Sequence, residues 1–169
     1  ANMVRALAEI IKGGHLDQGV KPVNWCFDCG SALAEAEIEY QDKTSSAIDV
    51  FFSAVDQSAV LGAFGLEAVD AQVGIPIWTT TPWTLPANEA VTLHADLDYV
   101  LVKGDWRGRK LALVLADELK DQVIARIEME NAEVLATCKG SALEHQMLNH
   151  PFYDHQVPVI LGEHVTTEA

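Results

Sequence analysis

The chain has 169 residues, 49% of them apolar and 21% charged, which is the balance of a folded soluble domain with one ordinary core. Its 25 acidic residues outnumber 11 basic ones and set a net charge of −14, which argues against an autonomous nucleic-acid binder, because phosphate contacts need Lys and Arg. No apolar run approaches the roughly 20 residues of a membrane helix, and Ala1-Asn2-Met3-Val4-Arg5 lacks the basic-then-apolar pattern of a secretion signal.

Met3, Leu7, Ile10 and Ile11 recur at helical spacing and Gly13-Gly14 stops the pattern, so a helix opens the chain. This abrupt start suggests a beginning inside a larger protein. Lys21 to Gly30 is rich in turn residues. Glu35 to Tyr40 alternates as a half-buried strand would, which makes Glu35, Glu37 and Glu39 a solvated face without chemistry. Asp42 to Ser46 is a polar turn, and Ile48 to Val55 reads as the partner strand. Asp56 is placed to cap a short helix running toward Phe64, with Gly65 as its stop.

Gly74 to Thr81 reads as a buried strand. Pro82 and Pro86 then forbid regular helix or central strand. Ala90–Leu93, Tyr99–Lys103 and Lys110–Leu115 are short strands, the last two joined by a hairpin turn at Gly104-Asp105-Trp106-Arg107-Gly108. Asp117 to Ile127 carries Leu119, Val123, Ile124 and Ile127 on one helical face. Ala132–Cys138 and Val157–Leu161 are further strands. Strands and helices do not alternate, so the expected fold is α+β, an antiparallel barrel-like β core with a few peripheral helices.

The most unusual stretch is Trp78-Thr79-Thr80-Thr81-Pro82-Trp83-Thr84-Leu85-Pro86-Ala87-Asn88. Four threonines and an asparagine on a proline-stiffened loop form a wall of neutral donors and acceptors. Such a wall can grip a small polar substrate and orient water, but it holds no strong base or nucleophile. A plainer reading leaves Thr79 and Thr81 as strand residues and Trp83 as loop packing.

Cys26 and Cys29 have the spacing of half a tetrahedral zinc site, and a full site needs two more ligands. Their default reading is a tight turn of two small thiols. With Cys138, the odd and low count of three cysteines fits a reducing cytoplasm. His15, His94, His145, His150, His155 and His164 show no ligand spacing and read as surface or satisfied core residues.

Thr79 to Asn88 resembles the threonine-rich peptide of the isoleucyl-tRNA synthetase editing domain, the insertion called connective peptide one. In the valyl and leucyl relatives an arginine usually follows the paired threonines. Here Thr81 stands there and Pro82-Trp83-Thr84 follows, which favours the isoleucyl branch over those two alternatives. Trp25-Cys26-Phe27-Asp28-Cys29-Gly30 through Tyr40 resembles the opening of the same insertion. His150-Pro151-Phe152-Tyr153 and Val157 to Gly162 resemble its later strands.

The resemblance implies an opening segment over residues 1–40 and an editing domain over 41–169, cut short at its C-terminal end. It implies hydrolysis of valine wrongly attached to isoleucine tRNA. A missing methylene is worth only about 1–3 kcal/mol of discrimination, the isoleucine–valine pair being the standing example, so a second sieve is needed. Carried over residue by residue, Thr80, Thr81 and Thr84 are the catalytic candidates, and Thr79, Trp83 and Asn88 the substrate-holding ones. Trp78, and in part Trp83, shape the loop.

The family's Gly-Thr-Gly segment, its histidine and its ammonium-binding aspartate follow beyond Ala169, and His164 is not that histidine. Editing by this chain alone is therefore expected to be weak or absent. Implied partners are the 3′ CCA end of tRNA(Ile), valine or valyl-adenylate, and the catalytic body of the same enzyme, in the cytoplasm and away from membranes. No cofactor is implied for this chain. The parent enzyme uses ATP, and some members hold zinc. The competing reading is a non-catalytic module that binds an amino-acid-like ligand or packs against a partner domain.

Overall fold

The computed structural model describes residues 2–167, which divide into two compact units between Thr44 and Ser45. The first unit holds helix α1 (Asn2–Lys12) and a hairpin of β1 (Asn24–Cys26) and β2 (Ser31–Leu33). Gly14 ends α1 with a φ of 72°, a left-handed position that suits glycine. The Met3, Leu7, Ile10 and Ile11 face of α1 is exposed.

The strand expected over Glu35 to Tyr40 is absent. A 3-10 turn, Glu35–Glu37, stands there instead. The Glu37 carboxylate turns back and accepts the Ala34 N–H at 2.8 Å, which closes a local ring. Alternation of apolar and acidic residues makes a strand only where another strand offers a ladder. None does here among the described residues, so Ile48 to Ser53 pairs elsewhere.

In the second unit the five-stranded sheet runs β3-β4-β7-β6-β8. Its strands are β3 (Ile48–Ser53), β4 (Gln72–Thr79), β6 (Asp98–Trp106), β7 (Arg109–Ala116) and β8 (Glu130–Lys139). A smaller sheet is ordered β5-β10-β9, with β5 (Val91–Leu93), β9 (Met147–Asn149) and β10 (Gln156–Leu161). Helices α2 (Gln57–Ala63) and α3 (Lys120–Arg126) complete the unit. The α+β build with few helices is as expected. The β core is two open sheets without barrel closure, and each contains one parallel pair, β4 with β7 and β5 with β10. Among the described residues no helix is long and apolar enough to cross a membrane.

Both faces of the large sheet are covered, which is why β6 and β7 read as continuous apolar runs. Tyr99 and Leu101 of β6 join Phe52, Val73, Leu148 and Val157 in one core layer. Val100 and Val102 join Leu113, Val123 and Met129 in the other, under α3. The β6–β7 turn is tighter than expected, with only Arg107 and Gly108 between the paired Trp106 and Arg109. Both turn residues have positive φ, 49° and 76°, the hand that matches strand twist. The expected helix over Asp117 to Ile127 begins as a 3-10 turn, Asp117–Leu119, before α3. Asp56 caps α2 as its sequence position suggests, accepting the Ala59 N–H at 3.1 Å.

Gly140 sits where β8 turns back under β6. A Cβ there would collide with the His94 carbonyl oxygen and come within 2.9 Å of the Tyr99 ring. Gly140→Ala is expected to lower stability by about 1–3 kcal/mol. Urea unfolding checks this, and an unchanged midpoint would contradict the packing described.

Candidate functional site

The threonine-rich segment leaves β4 at Thr79 and turns into a 3-10 helix, Pro82–Ala87. Proline at the first position costs no hydrogen bond, because that N–H would be unpaired anyway. Pro86 would clash in a longer α-helix, so the turn stays short.

Three hydroxyls line up along this segment. The Oγ1 atoms of Thr79 and Thr81 lie 3.2 Å apart, and those of Thr81 and Thr84 lie 3.5 Å apart. The backbone fixes the row at both ends. The Thr81 N–H donates to Thr79 Oγ1 at 3.0 Å, and Thr84 Oγ1 donates to the Thr81 carbonyl at 2.8 Å. Thr80 is held by its backbone, whose carbonyl accepts from Ser45 Oγ at 3.0 Å. Its own hydroxyl is exposed and has no intramolecular partner among the described residues.

Trp83 is 69% exposed, which leaves its ring available to a ligand. Asn88 behaves differently from the threonines. Its Nδ2 donates to the Ala90 carbonyl at 3.1 Å, while its Oδ1 is buried without a partner. The structure thus joins Thr79, Thr81 and Thr84 in one row, leaves Thr80 and Trp83 open to solvent, and turns the Asn88 amide to its own loop.

One buried imidazole anchors this loop. His150 is 5% exposed, and its Nε2 lies 2.9 Å from the carbonyl oxygen of Leu85, the buried residue of the 3-10 turn. Its Nδ1 accepts the Phe152 and Tyr153 N–H groups at 3.2 and 3.1 Å. With Nδ1 used as acceptor, the proton sits on Nε2 and is donated to Leu85. The ring stacks on His155 with centroids 4.4 Å apart and on Tyr153 at 5.3 Å, and meets Phe52 edge-on at 6.1 Å. His150 is therefore a satisfied core residue, as the sequence suggested. Its grip on a turn 65 positions away is the contribution that sequence reasoning missed. The visible signal was the compact His150-Pro151-Phe152-Tyr153 motif, whose backbone N–H groups wrap onto the ring.

Chemically, the row offers neutral hydroxyls on a fixed backbone. It can orient water and stabilise a developing oxyanion. A cavity of about 430 Å³ opens elsewhere in the same unit, lined by Ile75, Ile77, Leu93 and Val114 among others. Trp78 reaches it, but none of the loop threonines lines it.

Cys26 and Cys29 face each other at the hairpin tip in the first unit, with Sγ atoms 3.0 Å apart. The Cys29 N–H donates to Cys26 Sγ at 3.2 Å. These contacts, the Cys29 side chain first, hold the Cys26 thiol below its ordinary range, and the same pairing raises Cys29. Two thiols supply half of a structural zinc site. Among the described residues no further His, Cys, Asp or Glu joins them.

Comparison with known proteins adds to this geometry. Residues 1–152 match the family model for tRNA synthetases class I (I, L, M and V). Isoleucine–tRNA ligases of Coxiella burnetii (strain Dugway 5J108-111) and Shewanella sp. (strain W3-18-1) are each 56% identical over all 169 residues. The chain spans 18% of the length of these curated relatives. The crystal structure of GlLeuRS-CP1 aligns with a TM-score of 0.57 at 13% identity, over 72% of this chain and 50% of that one, a likeness of fold.

The cysteines should differ in reactivity. Burial, and secondarily Asp98, pushes the Cys138 thiol up to about 11, so little thiolate exists there at pH 8. Brief iodoacetamide treatment at pH 8, read by peptide mass spectrometry, should label Cys26 well before Cys138. The reverse order would contradict this description of both sites.

Proposed function

The chain belongs to the class I tRNA synthetases of the isoleucine, leucine, methionine and valine group, and from that premise we propose that it is the editing region of an isoleucine–tRNA ligase. Its reaction is hydrolysis of valine from mischarged isoleucine tRNA, by attack of water on the ester carbonyl with release of the tRNA ribose hydroxyl; valyl-adenylate, a mixed anhydride that water opens at the same acyl carbonyl with release of AMP, is a second substrate. The observation that carries the reading is the row of threonine hydroxyls on a loop fixed by two prolines and the His150–Leu85 hydrogen bond.

The roles follow from what each group has left to offer. Thr80 brings an uncommitted hydroxyl and is suited to orient the attacking water. Thr81 and Thr84 share hydrogen bonds along the row and are suited to meet the developing oxyanion, together with loop backbone. Thr79 holds Thr81 and faces the substrate at the strand end. Trp83 gives an exposed apolar surface for the aminoacyl-adenosine end. Asn88 fixes the loop exit through Ala90, and so supports the substrate site through the backbone.

No strong base lies in the row, so the acceleration comes from position and electrostatics, with no covalent intermediate. The 56% identity to isoleucine–tRNA ligases over the whole chain favours isoleucine tRNA over leucine or valine tRNA. The net charge of −14 fits a region that receives only the 3′ CCA end, while the cytoplasmic enzyme's catalytic body holds the rest of the tRNA and uses ATP for ligation.

The test uses the full-length enzyme. Thr80→Ala and Thr81→Ala are each expected to lower the rate of Val-tRNA(Ile) deacylation by roughly 10²–10³-fold, the effect of removing one oxyanion or water-positioning donor. Isoleucine attachment should be unchanged. Unaltered deacylation in both variants would remove these residues from the site and favour a non-catalytic module.

A further inference from the structure

The peptide that joins Thr80 to Thr81 is held at both of its polar ends by hydroxyl groups. Its carbonyl oxygen, on Thr80, accepts from Ser45 Oγ at 3.0 Å. Its N–H, on Thr81, donates to Thr79 Oγ1 at 3.0 Å. No regular element fixes this peptide. The β3–β4 ladder ends with Ile48 opposite Thr79, and the chain bends at Thr80. Thr81 then takes φ −124° and ψ 62°, between the strand and helix regions, before the 3-10 turn begins at Pro82.

One of the two hydroxyls belongs to the loop itself. The other comes from a residue 35 positions earlier in the chain. Ser45 opens the second unit, just ahead of β3. It lies past the last pair of the β3–β4 ladder, so its side chain supplies by hydroxyl what the backbone of β3 no longer supplies there. Without that hydroxyl the peptide keeps its anchor at the N–H alone and can swing about it.

The setting of this peptide decides what Thr80 presents. Turning it changes ψ of Thr80 and φ of Thr81, and those angles select which staggered side-chain positions a threonine can use. Thr80 carries the exposed hydroxyl with no intramolecular partner among the described residues, so its own backbone is what aims it.

We propose that Ser45 is a positioning residue for the threonine row, its hydroxyl fixing the Thr80–Thr81 peptide and with it the direction of the Thr80 hydroxyl. Its effect on rate rests on the editing reading of that row. Ser45 is exposed, so water competes for its hydrogen bond, and its loss costs less than loss of a hydroxyl of the row.

Steady-state deacylation of Val-tRNA(Ile) by the full-length enzyme tests this. Ser45→Ala should lower kcat about tenfold, the rate equivalent of one ordinary net hydrogen bond, and leave KM and isoleucine attachment unchanged. Ser45→Thr keeps the hydroxyl and should restore most of kcat. In a Thr80→Ala background, Ser45→Ala should cost nothing further, because the group it aims is gone. Hydrogen exchange at the Thr81 amide, read by mass spectrometry with fragmentation, should speed up in Ser45→Ala and stay as it is in Ser45→Thr. Unchanged deacylation in Ser45→Ala beside lowered deacylation in Thr80→Ala would overturn the proposal and leave the editing reading standing. Unchanged deacylation in both would remove the two together. Equal impairment by Ala and Thr at position 45, additive losses with Thr80→Ala, or an unmoved Thr81 exchange rate in Ser45→Ala would each overturn it as well.

Discussion

A buried imidazole with both nitrogens committed decides where the threonine loop can lie. His150 takes two backbone N–H groups on Nδ1 and gives its remaining proton to Leu85, and aromatic rings close around it. Shifting the loop would strand the Leu85 carbonyl and the imidazole N–H in the core, and each orphaned buried group costs about 1–3 kcal/mol. The loop therefore behaves as part of the core on its inner side, while its outer side presents hydroxyls to solvent. Pre-ordering of that kind is what the proposed site would need, since catalysis without a strong base comes from fixed geometry.

The scaffold has a matching logic. The central strands are buried on both faces, so the large sheet is a rigid slab between two core layers. Functional groups emerge where regular pairing stops. β4 ends its ladder with β7 at Gly74 and its ladder with β3 at Thr79, and the hydroxyl row starts at Thr79. The small sheet, bridged to the large one through Ala54 and Leu148, carries His150 just beyond β9 and so ties the loop to the core from the far side.

Sequence patterns reported what is local. The cap of Asp56 on α2, the apolar runs of β6 and β7, and the proline-stiffened loop after β4 are each encoded within a few residues of where they act. Partner choice was hidden, because a strand's neighbours depend on distant residues. Nothing within β4 shows that it pairs in parallel with β7, and the alternation of Glu35 to Tyr40 looks the same with or without a ladder beside it. In the site, the threonine row was legible from spacing and turn chemistry. The inward turn of the Asn88 amide and the reach of His150 to Leu85 were not, since both are tertiary contacts.

The central claim is that the role proposed for the threonines depends on His150 holding their loop from the core, where the imidazole is buried. The most direct measurement is Val-tRNA(Ile) deacylation by the full-length enzyme carrying His150→Ala, beside isoleucine attachment by the same sample as a control for folding of the rest. The account predicts a fall on the order of 10²-fold in the deacylation rate, the cost of small misplacement, with attachment intact. Deacylation at the unaltered rate would contradict it, and would mean that the loop holds its geometry through its prolines alone.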